Sequence, residues 1–265
     1  PVEDRPAAPA LFSQEQLEAH ALALAATHVL AAASIQGVPL LPRLDEHAER
    51  LEEAYQLLSS VARTDPQPVG SEDWLRDNYH VVQDQLREIR QDLPRKYYVE
   101  LPKLADGPFA GYPRVYHIAR ELIVHTAGRF DLDMLVDFAA AYQRAAPLSI
   151  GETWAIPIML RLALVEELRT IVDRIVLVRR SREQARKWEG ALTDASGGHR
   201  FEDVLRTEVR ANGRLSAAFV VELLQWLRDQ PSSAGSAWSA LQRALEAQGD
   251  SPDEMLRVEQ QREAT

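Results

Sequence analysis

The sequence predicts an all-α fold, an irregular bundle of about eight or nine helices around a long central helix interrupted by a proline. Three observations carry this. Apolar residues recur at three- and four-residue intervals along most of the chain, no run alternates polar and apolar as a half-buried strand does, and capping residues recur at helix-length spacing. At 265 residues, with 46% hydrophobic and 26% charged positions, the chain can bury the core of one or two domains.

Ser13-Gln14-Glu15-Gln16 reads as a capping box, in which the Ser hydroxyl takes an orphan N–H and Gln16 reaches back to the cap. It predicts a helix to about Ser34, with residues 1–12 a disordered lead. Pro39 and Pro42 separate this from a second helix over 45–62, with Leu44, Leu51, Ala54, Leu58 and Val61 on one face. Pro66 and Pro68 mark a break. Ser71 is expected to cap a third helix, with Glu72 and Asp73 in its first turn and Trp74, Tyr79, Val82, Leu86 and Ile89 at helical spacing. That helix stops at Leu93-Pro94.

Between Pro94 and Gly111, Pro102, Pro108 and Gly107 exclude a long helix, while Tyr97, Tyr98 and Phe109 indicate an ordered loop packed over the core. Pro113 opens a helix to about Thr126, and Asp131 caps another through Ala145 with Leu132, Leu135, Val136 and Phe138 facing inward. Ser149-Ile150-Gly151-Glu152 is a second capping box and starts the longest run, to about Trp188, with a kink or short break expected near Pro157. Gly197-Gly198 lies in the best boundary. The expected organisation is therefore a main helical domain over 13–192, a linker over 193–200 and a small helical subdomain over 201–265. Helices are expected there near 201–211, 216–228 and 237–247, and a last one from Ser251-Pro252-Asp253-Glu254.

A formal charge of −10 argues against a nucleic-acid surface, which needs a local excess of Lys and Arg. The absence of cysteine excludes thiol nucleophiles, Cys-ligated metals and disulfides. No signal-peptide pattern is present, and the most apolar stretch, Trp154 to Val165, is interrupted by Arg161 and falls short of the ~20 residues of a transmembrane helix. The first residue is not Met and the end has mid-helical composition, so the sequence reads as a piece of something longer.

Few patterns point to chemistry. His117, Glu121 and His125 recur at spacings of four, but residues eight apart lie about 12 Å apart along a helix, so at most one His–Glu pair could meet an ion. His20 and His28 repeat that separation. The expectation is no metal site, with each His satisfied by a carboxylate or carbonyl. Glu166 and Glu167 project about 100° apart and read as a solvated edge rather than a catalytic pair. Arg174, Arg179, Arg180, Arg182, Arg186 and Lys187 read as the wet face of a long helix, with anionic lipid as the alternative. No nucleotide-binding or nucleophile-elbow motif occurs.

A longer pattern is more specific. It runs through Trp74-Leu75-Arg76-Asp77-Asn78-Tyr79, Gln85-Leu86-Arg87-Glu88-Ile89-Arg90-Gln91-Asp92-Leu93-Pro94, Tyr97-Tyr98 and Leu101-Pro102-Lys103-Leu104. It continues with Gly111-Tyr112-Pro113-Arg114-Val115-Tyr116, His125-Thr126, Arg129-Phe130-Asp131, Ala141-Tyr142-Gln143 and Pro147-Leu148-Ser149-Ile150-Gly151-Glu152-Thr153-Trp154-Ala155. This block resembles the N-terminal region of bacterial cyclic β-1,2-glucan synthases, densely over residues 70–170 and more loosely over 201–264.

The resemblance implies a parent that is a very large inner-membrane glycosyltransferase. Such an enzyme polymerises glucose from UDP-glucose, with a divalent metal, into a cyclic β-1,2-glucan, and its transferase, cyclising and membrane-spanning parts lie downstream. It implies for this chain a cofactor-free, non-catalytic scaffold at the cytoplasmic face of the bacterial inner membrane, packed on those downstream domains. The alternatives are a glycan-binding or catalytic helical domain and a membrane-proximal adaptor. The residues expected at an interface or glycan contact are Tyr97, Tyr98, Tyr112, Arg114, Tyr116, Glu152, Trp154 and Arg161, since aromatic and Arg side chains dominate interface energetics. The competing reading pairs Arg114 and Arg161 with Glu152 or Asp residues inside the chain.

Overall fold

The computed structural model describes residues 10–32, 37–61, 70–193, 198–228 and 234–263. Among these the protein is all-α, with eleven helices. The chain forms two compact units, Pro1–Asp173 and Arg174–Thr265. The division falls inside the longest helix, upstream of the 193–200 linker read from the sequence; residues 194–197 of that stretch lie outside the described residues.

In the first unit, α1 (Gln14–Thr27) starts at the expected capping box, with both reciprocal hydrogen bonds formed by Ser13 and Gln16. It ends seven residues before the expected Ser34. The following backbone is extended and pairs with a distant loop, Ala31 N–H donating to Lys103 O at 2.8 Å and Ala105 N–H to Val29 O at 2.8 Å. Of the expected lead, residues 1–9 lie outside the described residues, whereas the Phe12 N–H donates to His125 O at 3.0 Å.

Helix α2 (Leu41–Val61) begins four residues earlier than expected because Pro42 sits in its first turn, where the missing N–H is not needed. Leu44, Leu51, Ala54 and Leu58 are its buried face. It packs against α3 (Gly70–Asp92), pinned by the stacked rings of Tyr55 and Tyr79 and by the Tyr79 hydroxyl donating to Glu52 Oε2 at 2.6 Å. Tyr79, Val82, Leu86 and Ile89 are buried as expected, but Trp74 is exposed and its neighbour Leu75 takes the core position. The cap expected at Ser71, with Glu72, rests on side chains outside the described residues.

The proline-rich stretch holds a short helix, α4 (Arg95–Glu100), and then a compact loop of isolated backbone bridges among Lys103, Leu104, Ala110 and Pro113. Lys103 is the buried pin of this stretch. Its ammonium donates to the carbonyls of Tyr98, Val99 and Leu101 at 2.7–2.8 Å, closing the orphan acceptors at the end of α4.

Helix α5 (Arg114–Thr126) follows, closed by Ala127 in the left-handed region at φ 50°. Asp131 then caps α6 (Leu132–Ala145) by accepting from Met134 N at 2.8 Å. The inward face of α6 is Phe138, Ala141 and Tyr142, which packs along α1. Leu132 and Val136, expected inside, are exposed, because the packed face lies one position round the helix.

Helix α7 (Ile150–Thr193) starts at the expected Ser149–Glu152 capping box and runs through Pro157 without interruption. Pro157 and Thr153 are both exposed, so the carbonyl that loses its donor faces water and the expected break does not occur.

The second unit contains the end of α7 with α8 (Gly198–Asn212), α9 (Ala217–Arg228), α10 (Ala234–Glu246) and α11 (Pro252–Glu263). Its core gathers Ala185 of α7 with Phe201, Leu205, Phe219, Leu223, Leu241, Leu245 and Met255. The basic run is not a wet face throughout: Arg179 is buried, Arg182 pairs with Glu259 at 2.8 Å, and Arg186 pairs with Glu222 at 2.7 Å. Those guanidiniums hold α7 to α11 and α9.

Candidate functional site

Helix α5 organises the polar interior of the first unit. Val115, Ile118, Ala119, Leu122 and Ile123 fill its core face, and the polar residues between them fall on two further stripes. Arg114, Tyr116 and Arg120 reach side chains of α7, while His117, Glu121 and His125 share an i, i+4, i+8 stripe that meets α1.

At the start of α5, Arg114 donates to Glu152 Oε1 at 2.5 Å and Oε2 at 2.9 Å, and to the Pro147 carbonyl at 2.6 Å. Glu152 is fully buried and also accepts from the Ser149 N–H and hydroxyl, both at 2.9 Å, so the capping carboxylate doubles as the buried counter-ion. Burial by itself would raise its pKa, but the bonds from Arg114 and the Ser149 backbone outweigh that and hold it below the ordinary carboxylate range. Arg161 pairs with Asp92 at 3.1 Å and Glu88 at 3.6 Å. The internal pairing read as the alternative in the sequence is thus what both arginines do.

The aromatic residues divide. Tyr98 is buried and its hydroxyl donates to Val38 O, while Tyr97 donates to Gly151 O at 2.6 Å, fastening α4 to the first turn of α7. Tyr112 is half-buried beside Tyr116, with ring centroids 5.5 Å apart. Trp154 stands apart at 75% exposed, one turn beyond Ile150 at 77%.

Tyr116 leads to a group the sequence reading misplaced. Glu166 is buried, not a solvated edge, and gathers Tyr116 OH at 2.8 Å, Arg43 Nε at 2.6 Å, His47 Nε2 at 3.2 Å and Arg120 Nε at 3.6 Å. Burial opposes its charge, but the hydrogen bonds from His47, Arg43 and Tyr116 prevail and draw its pKa down to about 2. No local spacing could have found this hub, because Arg43 and His47 come from α2, more than a hundred residues away. Beside it lies a cleft of about 60 Å³ lined by Arg43, Arg120, Glu167 and Thr170, well below the ~300 Å³ at which small-molecule pockets begin.

The third network joins histidines of α1 and α5. His28 Nδ1 lies 2.7 Å from Tyr142 OH, His28 Nε2 lies 2.9 Å from His117 Nδ1, and His117 Nε2 lies 3.3 Å from Glu121 Oε1. The Glu121 pKa is about 2: burial opposes ionisation, but hydrogen bonds from His117 and His20 overcome it. An ionised Glu121 only accepts, so His117 donates to it from Nε2, and His28 bridges His117 Nδ1 to the Tyr142 hydroxyl through its two ring nitrogens. His28 is held neutral in this chain. Burial, then the neighbouring His117 and Arg114, pushes its pKa down to about 4. The other oxygen, Glu121 Oε2, takes His20 Nε2 at 2.7 Å and faces His125 Nε2 at 3.5 Å. The sequence shows both eight-residue His pairs; that His20, His117 and His125 meet one carboxylate, with His28 linked to it through His117, needs the packing of α1 against α5.

No family model matches the chain. The cyclic beta-(1,2)-glucan synthase NdvB of Rhizobium meliloti (strain 1021) is 28% identical over 256 residues, which cover 95% of this chain and 9% of that relative. The chain spans under a tenth of the curated relative's length. The dense motif block and this alignment lead to the same place: along nearly its whole length the chain is similar to the N-terminal part of a cyclic β-(1,2)-glucan synthase.

Proposed function

We propose that the chain is a non-catalytic helical scaffold of a cyclic β-(1,2)-glucan synthase, whose first unit docks onto downstream transferase or cyclising segments. One observation supports this reading above the others. Ile150 and Trp154 project one turn apart from α7 at 77% and 75% exposure, while Glu152 and Ala155 between and beside them are buried and Tyr97 is anchored at Gly151. Large apolar side chains held out on a rigid, capped helix end are the kind of anchor that dominates protein interfaces. The groups suited to chemistry, by contrast, are engaged with one another: Arg114 with Glu152, and Glu166 with four partners.

The resident position of such a module is the cytoplasmic face of the inner membrane, brought there by its parent. No helix among the described residues is long and apolar enough to cross a membrane. UDP-glucose, and the divalent metal that handles it, belong in this reading to the downstream segments.

An exposed indole is also a surface on which sugars stack, so direct handling of glucan is the reading to exclude. The purified chain is titrated with β-1,2-gluco-oligosaccharides while Trp and Tyr ring resonances are followed and the same samples are assayed for product. The scaffold reading predicts unchanged spectra at millimolar ligand and no product. Shifts localised to Tyr97 and Trp154, or turnover, would overturn it.

A further inference from the structure

We infer that His20, Glu121 and His125 form a binding site for a divalent cation of the zinc type. The sequence alone offered only an in-helix His–Glu pair lacking other ligands; α1 supplies the third. One donor atom from each of the three lies within 4.8 Å of the others. Two imidazoles and one carboxylate form a three-ligand set used by zinc, with a position left for water, whereas Mg²⁺ and Ca²⁺ prefer oxygen ligands throughout.

The surroundings orient His125 and Glu121 as a metal site requires, while His20 Nε2, which donates to Glu121 Oε2 at 2.7 Å, gives up that proton on metal binding. The Ala10 carbonyl lies 3.0 Å from His125 Nδ1 and can only accept, so the proton of the neutral ring sits on Nδ1. In that neutral form the Nε2 lone pair is the free donor of the ring, and Nε2 lies 3.5 Å from Glu121 Oε2. A cation placed between these two atoms would be ligated by both. His117, donating to Glu121 Oε1, turns the other oxygen toward His20 and His125, and Phe12 stacks on His125 at 3.9 Å and meets His20 edge-on at 5.4 Å. Carbonyl, imidazole and ring together are the kind of outer shell that fixes metal-bound histidines. The three ligands retain 15–26% of their side-chain exposure, which leaves a path for an ion and its water. A bound ion would staple α1 to α5. This inference does not depend on the docking face and stands or falls separately.

The test uses the whole chain, stripped with a chelator, and titrated with Zn²⁺ by calorimetry and with Co²⁺ by visible absorption. One Zn²⁺ per chain and ligand-field bands from Co²⁺ are expected. His20→Ala and Glu121→Gln should each abolish the Co²⁺ bands and weaken Zn²⁺ binding by about 100-fold or more, since losing an outer-shell partner alone costs about 10–100-fold. His80→Ala, at an exposed histidine outside the cluster, should change neither. Zinc-edge X-ray absorption on the unaltered chain, which does not depend on any variant folding, should show two imidazoles among the ligands. Absence of stoichiometric binding, equal binding by the two ligand variants, or a coordination shell without two imidazoles would each overturn the site.

Discussion

The Arg114 guanidinium and the Glu152 carboxylate meet through two hydrogen bonds in the interior, at 2.5 and 2.9 Å, and join the first turn of α5 to the first turn of α7. Removing one partner leaves the other charge buried and unpaired, which typically costs about 3–5 kcal/mol. Arg114→Met should therefore lower the stability of the first unit by that amount in urea denaturation. The double variant Arg114→Met with Glu152→Gln should lose less than the sum of the singles, because no lone charge then remains. Additive losses would show that the pair is not coupled.

Glu166 makes a prediction about acid. Its carboxyl titrates at about 2 in the folded chain against an ordinary 4.5, so the unfolded state takes up the proton first as pH falls. The stabilisation is complete above pH 4.5 and is lost between pH 4.5 and 2, a total of about 3 kcal/mol at 1.36 kcal/mol per pH unit. Glu166→Gln should be less stable at neutral pH and should flatten the stability curve across that window, as measured by denaturation at a series of pH values.

His28 acts in a higher window. Kept neutral, with its pKa lowered from 6.5 to about 4, it favours the folded chain above pH 6.5 and progressively less as pH falls toward 4. His28→Gln should remove that slope without moving the Glu166 window. An unchanged slope between pH 6.5 and 4 would contradict the neutral assignment in the Tyr142–His28–His117 chain.

Lys103 and Gly37 form a close-packed pair. A Cβ at Gly37 would lie 2.6 Å from Lys103 Cε and 3.0 Å from the Gly111 carbonyl, and Lys103 cannot swing aside without releasing three backbone acceptors. Gly37→Ala should cost about 1–3 kcal/mol, the usual penalty of overpacking. A thermal melt matching that of the parent chain would show that the lysine is free to yield.

The helical class and most helix starts were legible because their causes are local. Ser13, Asp131, Ser149 and Ser251 each cap the helix expected from them. What failed was what packing decides. Helix α1 stops early because residues 29–31 pair with 103–105, and Val136 turns outward because Phe138, Ala141 and Tyr142 take the face toward α1. The candidate site was half legible. Pairing of Glu152 with Arg114 is one of the readings the sequence offers, and the structure shows it; Trp154 stands out in the sequence by residue type, and its exposure comes from the structure. Glu166 reads as a wet edge in the sequence because it adjoins Glu167 and its partners Arg43 and His47 stand over a hundred residues away; the structure buries it.

The scaffold reading rests on the exposed Ile150 and Trp154. Its most direct test is capture of the downstream transferase and cyclising segments, expressed as a separate polypeptide, by the purified chain and by an Ile150→Ser/Trp154→Ser variant with a matching thermal melt. The account predicts a stable complex with the unaltered chain and affinity about 30-fold or more weaker for the variant, the equivalent of a ~2 kcal/mol hot spot. Equal capture by both chains, or none by the unaltered one, would contradict it.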